Sequence, residues 1–227
     1  RSTRVRSSAA SDVYKRQSAY KPYLVSIVYS LLAALIVAVV CIAVARIVTS
    51  MKHKYDKVFE PLILIPWLLP STMIALGLMM TYDTPRWNIA NKVLVATPVI
   101  MLLAYVIIKI PFSYRMIRAA FIGLDGNMEE AAQVMGAKPF YIMRKVIMPI
   151  IMPVVLSVIV LNFNGLLSEY DLSVFLYHPL FRPLGIAIKM ATDETATTDA
   201  QAMAFVYTVI LMLISSVALW LLSLIHI

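Results

Sequence analysis

The sequence predicts an all-α fold, a polytopic bundle of about five transmembrane helices, and three observations carry that prediction. Of the 227 residues 61% are hydrophobic, with a mean hydropathy of +0.84. Only 14% are charged, against about a quarter in a soluble domain. The apolar residues also fall in runs near the ~20 residues that a helix needs to cross the hydrocarbon core. Six glycines exclude a collagenous or low-complexity chain. The single Cys41, inside an apolar run, excludes a disulfide framework within the chain and a multi-cysteine metal site. A net charge of +8 needs no nucleic acid as partner, because membrane proteins concentrate Lys and Arg in cytoplasmic loops.

Five stretches have the length and composition of spans: 23–45, 59–82, 93–112, 146–165 and 202–222. The second contains Pro61, Pro66 and Pro70 and is expected to be kinked or broken where neighbouring helices satisfy the freed carbonyls. Ahead of the first span, Arg1–Gln17 is basic and polar, with no helical apolar stripe. Its Asp-Val-Tyr-Lys-Arg-Gln ending and the Ser-Leu-Ile-His-Ile at 223–227 resemble translated sequencing-adaptor read-through. The expectation is therefore a domain of residues 18–222 between foreign ends 1–17 and 223–227, cut from a longer protein. An ordinary basic arm is the alternative.

Loop charges set the orientation. The loop after the first span carries Arg46, Lys52, Lys54 and Lys57 against Asp56 and Glu60. The loop after the third carries Lys109, Arg115, Arg118, Lys138, Arg144 and Lys145 against Asp125, Glu129 and Glu130. Between Glu169 and Asp199 the balance reverses, with Arg182 and Lys189 against five acids. The positive-inside rule places the first two loops in the cytoplasm and the last outside, as strict alternation over five spans requires. Lys109 reads as a residue near the cytoplasmic end of the third span, free to snorkel. Asp83, Arg86 and Trp87 read as a short outer loop with an interfacial aromatic.

The long loop 113–145 is patterned. Phe112, Arg115, Met116, Ala119 and Ala120 recur at helical spacing, so the third span is expected to continue as a helix. Gly123, Asp125, Gly126 and Asn127 are turn formers. Asp125 or Asn127 suits the cap of a short helix beginning near Met128, and Glu129 and Glu130 suit its first turn. Gly136 suits a left-handed cap at its end, and Pro139 the opening turn of a second helix. The expected result is two short helices lying across the membrane face.

Glu130-Ala131-Ala132, with Gly136 four positions later and Val146-Ile147-Met148-Pro149 starting ten residues after that, resembles the Glu-Ala-Ala loop of ABC-importer permeases. The family has Ile-x-Leu-Pro in the last element, so Val146 and Met148 are conservative departures. The resemblance implies a type I permease core in a bacterial inner membrane, multi-pass, passing a small solute by alternating access. It implies that this loop docks into a cleft of a cytoplasmic ABC ATPase dimer. Glu130 would offer charge there, Ala131 and Ala132 close packing, Gly136 the bend and Phe140 and Tyr141 apolar anchors, with Pro149 closing the motif. Further implied partners are a second permease half, fused, homologous or identical, and a periplasmic or lipid-anchored solute-binding protein.

The chain has no means of hydrolysing ATP itself. A phosphate-binding P-loop needs two glycines five apart followed by Lys, and Gly77, Gly123, Gly126, Gly136, Gly165 and Gly185 contain no such pair. No converging set of His, Asp, Glu or Ser suggests a catalytic site. His53, His178 and His226 lack ligand spacing, and most of the 14 Met lie singly in apolar spans, where Met packs. No cofactor, metal or catalytic residue is expected. The candidate path is the cluster Asn162, Asn164, Ser168, Glu169 and Asp171 at the outer end of the fourth span, read as an outer gate or vestibule that meets a cationic solute or the solute-binding protein. A solvated outer loop is the alternative for that cluster. Leu172–Gly185 is too short and Pro-interrupted to span, so a re-entrant or interfacial segment is expected. It looks like the corresponding stretch of permeases for ferric iron and for phosphonate-type solutes. An ion-coupled secondary transporter is the competing class, disfavoured because the acids lie at span ends or in loops.

Overall fold

The computed structural model describes residues 2–50, 56–85, 93–193, 195 and 197–225, with side chains described over 20–49, 59–85, 93–193, 195 and 197–224. Its helices run in chain order α1 (Ser2–Ser50), α2 (Asp56–Leu68), α3 (Ser71–Tyr82), α4 (Pro98–Ile122), α5 (Gly126–Val134), α6 (Pro139–Ile142), α7 (Met148–Leu167), α8 (Ser173–Leu176), α9 (Leu184–Ala191) and α10 (Thr198–Ile225). Four segments are long and apolar enough to cross a membrane: Tyr20–Thr49, Pro98–Ile122, Pro139–Leu167 and Thr198–Leu224. Counting α2 and α3 as one broken span gives a fifth.

The centre of the bundle is the small-residue face of α1. Ser26, Ser30, Ala33, Ala34, Val37, Ala38, Cys41 and Ala45 recur at three- and four-residue spacing and are all at most 2% exposed. Between helices in lipid, small side chains allow close approach, so dispersion and hydrogen bonding replace the missing hydrophobic drive. Against this face pack α4, through Ile100, Met101, Ala104 and Tyr105, and α7, through Ile151, Val155 and Val158. The opposite face of α1 presents Leu24, Val28, Leu31, Leu35 and Val39 outward, as a lipid-facing surface should. α10 buries Ala204 and Tyr207 and leaves most of its length exposed.

Of the three prolines in the second stretch, only Pro70 breaks the helix. It caps α3 at φ −55°, ψ 141°, and α2 and α3 meet at 101°. Pro61 and Pro66 remain within α2. The third span differs from its expected bounds: Pro98 opens it at the first helical position and the helix runs to Ile122. As expected, it carries the spacing of Phe112–Ala120 onward as helix. The second expected surface helix is different. Pro139 starts a helix that passes through a π turn, Met143–Ile147, directly into α7. Pro149 cannot donate to the carbonyl of residue 145 and its ring crowds that turn. A wider π turn immediately before it relieves the conflict without a break, so 139–167 is one rod.

Candidate functional site

The turn between α4 and α7 is built from local chemistry. Asp125 caps α5, its carboxylate accepting from the Asn127 N–H at 3.0 Å, and the helix begins two residues earlier than Met128. At the other end Gly136 lies at φ +81°. Its N–H donates to the Gln133 carbonyl at 2.9 Å and the Ala137 N–H to that of Ala132 at 3.0 Å. This pair of bonds is a Schellman cap, which favours glycine because a Cβ is strained at positive φ. The cap turns the chain so that Lys138 and Pro139 can start the next helix. Ala132 faces inward at 6% exposure, whereas Glu130 and Ala131 are exposed. Around them stands an apolar rim of Val134, Met135, Phe140 and Tyr141, 58–88% exposed. A hollow of about 480 Å³ lies beside the rim, lined by Met135, Gly136, Lys138, Tyr141 and Val146 among others.

A strap holds this turn to the bundle. Arg46, near the end of α1, donates through both terminal nitrogens to the two carboxylate oxygens of Glu129, the Nη1 bond measuring 2.9 Å. The guanidinium fork matches a carboxylate in this way. Its hydrogen bond holds the Glu129 carboxyl below its ordinary value. The two side chains are 27% and 28% exposed, so solvent screening limits the pair to at most about 1 kcal/mol. Its effect is geometric: it links α5 to α1. Nearby, Arg118 pairs with Glu60 at 2.5 Å, and Arg115 lies 5.7 Å from the Trp67 ring centroid, tying α4 to α2.

At the other end the structure divides the expected gate. Asn162 is 1% exposed and its amide donates to Ser113 Oγ on α4 at 2.7 Å. Ser113 in turn donates to the Lys109 carbonyl, so Asn162 locks α7 to α4. Asn164 is half-buried, and its Oδ1 is buried without a hydrogen-bond partner. Glu169 is half-buried and accepts weakly from the Leu172 N–H at 3.4 Å, while Ser168 and Asp171 are exposed. Lys109 is not near the cytoplasmic end of its helix. It lies midway along α4, half-buried, with its ammonium against Gly165 of α7.

The segment after Glu169 folds back onto the bundle rather than across its surface. Leu172, Ser173 and Leu176 are buried against α3 and α4, with Tyr105 Oη 2.6 Å from Ser173 Oγ. Leu184 donates its N–H to Ser26 Oγ of α1 at 2.7 Å. His178 accepts from the Leu180 N–H, a turn contact. His53, His226, Arg86 and Trp87 lie outside the described residues.

Comparison with known families now decides the class. Residues 39–226 match the family model described as binding-protein-dependent transport system inner membrane component. The chain belongs to that family. It is 32% identical over 198 residues to the probable ABC transporter permease protein y4fN of Sinorhizobium fredii, covering 87% of this chain and 35% of that protein. It is 27% identical to the probable sulfate transport system permease protein cysT of Prototheca wickerhamii, over 65% of this chain and 60% of the relative. It is 23% identical to the putative 2-aminoethylphosphonate transport system permease protein PhnV of Salmonella paratyphi A, over 71% and 59%. The chain thus spans about a third to three fifths of the length of these curated relatives.

Among solved structures, a bacterial ABC transporter that imports the acidic polysaccharide alginate superposes with a TM-score of 0.73 at 17% identity. The match covers 91% of this chain and 77% of that one. The inward-facing MetNI methionine ABC transporter superposes at 0.65 with 15% identity, covering 92% and 94%. These likenesses establish the helical permease fold, and membership of the family establishes a multi-pass inner membrane component.

Two features of this family member escaped the sequence. Arg46 and Glu129 entered only as loop charges, because they are 83 residues apart and nothing local pairs them. The seat of Lys109 against Gly165 brings together two helices distant in the sequence, and nothing local pairs them.

Proposed function

We propose that this chain is the transmembrane permease subunit of an ATP-driven ABC importer, passing a small solute across the inner membrane by alternating access. The observation that carries the reading is the exposed apolar rim on a rigidly capped turn. Val134, Met135, Phe140 and Tyr141 stand in solvent around Glu130 and Ala131. Such a patch, centred on aromatic and charged residues, has the composition of a docking surface. An ATPase seated there would move α5, and the Arg46–Glu129 strap and the continuous rod 139–167 would carry that motion into α1 and α7. A solute-binding protein would deliver cargo to the opposite face, and a second permease half would complete the path. ATP hydrolysis belongs in this reading to the separate ATPase.

The solute stays at the level of a small molecule or ion. The relatives cited above are named for sulfate and 2-aminoethylphosphonate; ferric iron, raised by the resemblance at 172–185, has no counterpart in those names.

The test is co-purification and coupled uptake with Gly136→Val. At φ +81° a β-branched residue costs about 1–3 kcal/mol in local strain, so the turn should distort while the spans still insert. The expected result is normal membrane insertion, loss of the bound ATPase and loss of ATP-dependent uptake, with Glu130→Ala weakening ATPase retention. Uptake that continues without ATP would overturn the proposal in favour of ion-coupled transport.

A further inference from the structure

The one cation placed midway along a described spanning helix is not engaged in a direct ion pair. Among the described residues, the Lys109 ammonium has no carboxylate within ion-pair distance, although the Glu169 carboxylate is near enough to act on it electrostatically. The head group is admitted by an absence: a Cβ at Gly165 would stand 3.0 Å from Lys109 Nζ. One residue earlier on the same turn of α7, Asn164 carries a buried oxygen without a partner. One turn further along α4, Ser113 accepts the Asn162 amide, which holds the two helices in register. An ionisable side chain at such depth is costly and normally faces a bundle interior or water path. Lys109 meets that expectation by setting its ammonium against Gly165 of α7. A structural counter-ion would be expected to close onto Glu169; this ammonium instead keeps its donors available.

We propose that Lys109, seated in the slot left by Gly165, is the contact in the membrane path for an anionic solute of the oxyanion class. This rests on the importer reading and names its substrate class. A tetrahedral oxyanion offers several strong acceptor oxygens to a lysine ammonium, a compact point charge with three donors. Glu169 then has a defined part, repelling the anion and weakening its hold enough for release. Passage through a path needs a site that binds and still lets go.

The experiment uses the whole transporter, this chain with its ATPase and binding protein, in proteoliposomes. Sulfate, inorganic phosphate and methylphosphonate are the probes, with ferric ion and a neutral sugar as controls. ATP-dependent uptake of an oxyanion is expected. Lys109→Gln should lower it by about tenfold or more, as loss of a hydrogen bond to a charged group implies, and Lys109→Arg should retain most of it. Gly165→Leu should reproduce the loss by filling the slot with the charge intact. The decisive variant is Lys109→Gln with Glu169→Gln. If Lys109 merely neutralises Glu169, removing both charges restores uptake and the proposal fails; if Lys109 holds the anion, the double variant stays inactive. Unchanged oxyanion uptake in Lys109→Gln, or ATP-driven uptake of only the ferric or neutral probe, also overturns it while leaving the importer reading intact. ATP-independent uptake would instead overturn the importer reading.

Discussion

Two regions of this bundle are built in opposite ways. The turn at residues 123–142 takes its shape from contacts a few residues apart: the Asp125 cap, the Gly136 bonds and Pro139 at a helix start. The rest of the bundle is assembled from distant segments. Tyr105 meets Ser173, Asn162 meets Ser113, and Leu184 meets Ser26, at separations of 68, 49 and 158 residues. The first region leaves Val134, Met135, Phe140 and Tyr141 outside; the second buries Asn162 and Ser173. A region shaped by local caps holds its form while presenting side chains to a partner. One shaped by long-range hydrogen bonds depends on every helix being in place, and its rearrangement is felt across the bundle.

The largest effect on that contrast should come from Asn162→Leu. It removes the amide bond between α7 and α4, and interhelical hydrogen bonds in membranes contribute about 0.6 kcal/mol on average and up to about 1.7. Burial at 1% exposure puts this one toward the upper end. The expected outcome is a lower thermal midpoint in detergent, and an unchanged midpoint would mean that this region is not cemented by its polar contacts.

A smaller effect belongs to the strap. Glu129→Gln should cost less than about 1 kcal/mol, because both partners are partly solvated, and a double-mutant cycle with Arg46→Gln should show a coupling of that size. The sign with pH follows from the depressed Glu129 carboxyl. Its stabilisation is fully present above the unfolded carboxylate value, about 4.3, and is lost as pH falls through the lower folded value. The difference between the parent and Glu129→Gln should therefore narrow as pH drops below about 4. A difference that widens in acid would contradict the pairing.

The smallest effect on stability should come from Phe140→Ala. The side chain is 77% exposed, so the isolated chain should melt within about 0.5 kcal/mol of the parent, as surface substitutions do. Retention of the ATPase should nevertheless fall. A large loss of stability with normal retention would reverse the roles assigned to the two regions.

Sequence alone determined what depends on composition and short spacing. It set the all-α membrane class, the five apolar stretches, the helical extension past Phe112, a cap at Asp125 or Asn127 and the left-handed Gly136. Each follows from the ~20-residue width of a hydrocarbon core or from backbone groups that must be satisfied within a few residues. It erred at Pro139, which suggested a surface helix separate from the span at 146–165; a π turn joins the two. Among the polar residues 162–171, helical rotation buries Asn162 and exposes Asp171. Only the tertiary structure decided which partners the polar side chains found: Arg46 for Glu129, Ser113 for Asn162, and the slot at Gly165 for Lys109. Helix rotation and register determine such pairs, and both are set by packing small residues of α1 against α4 and α7. That packing is a property of the bundle, and no single stretch of the chain contains it.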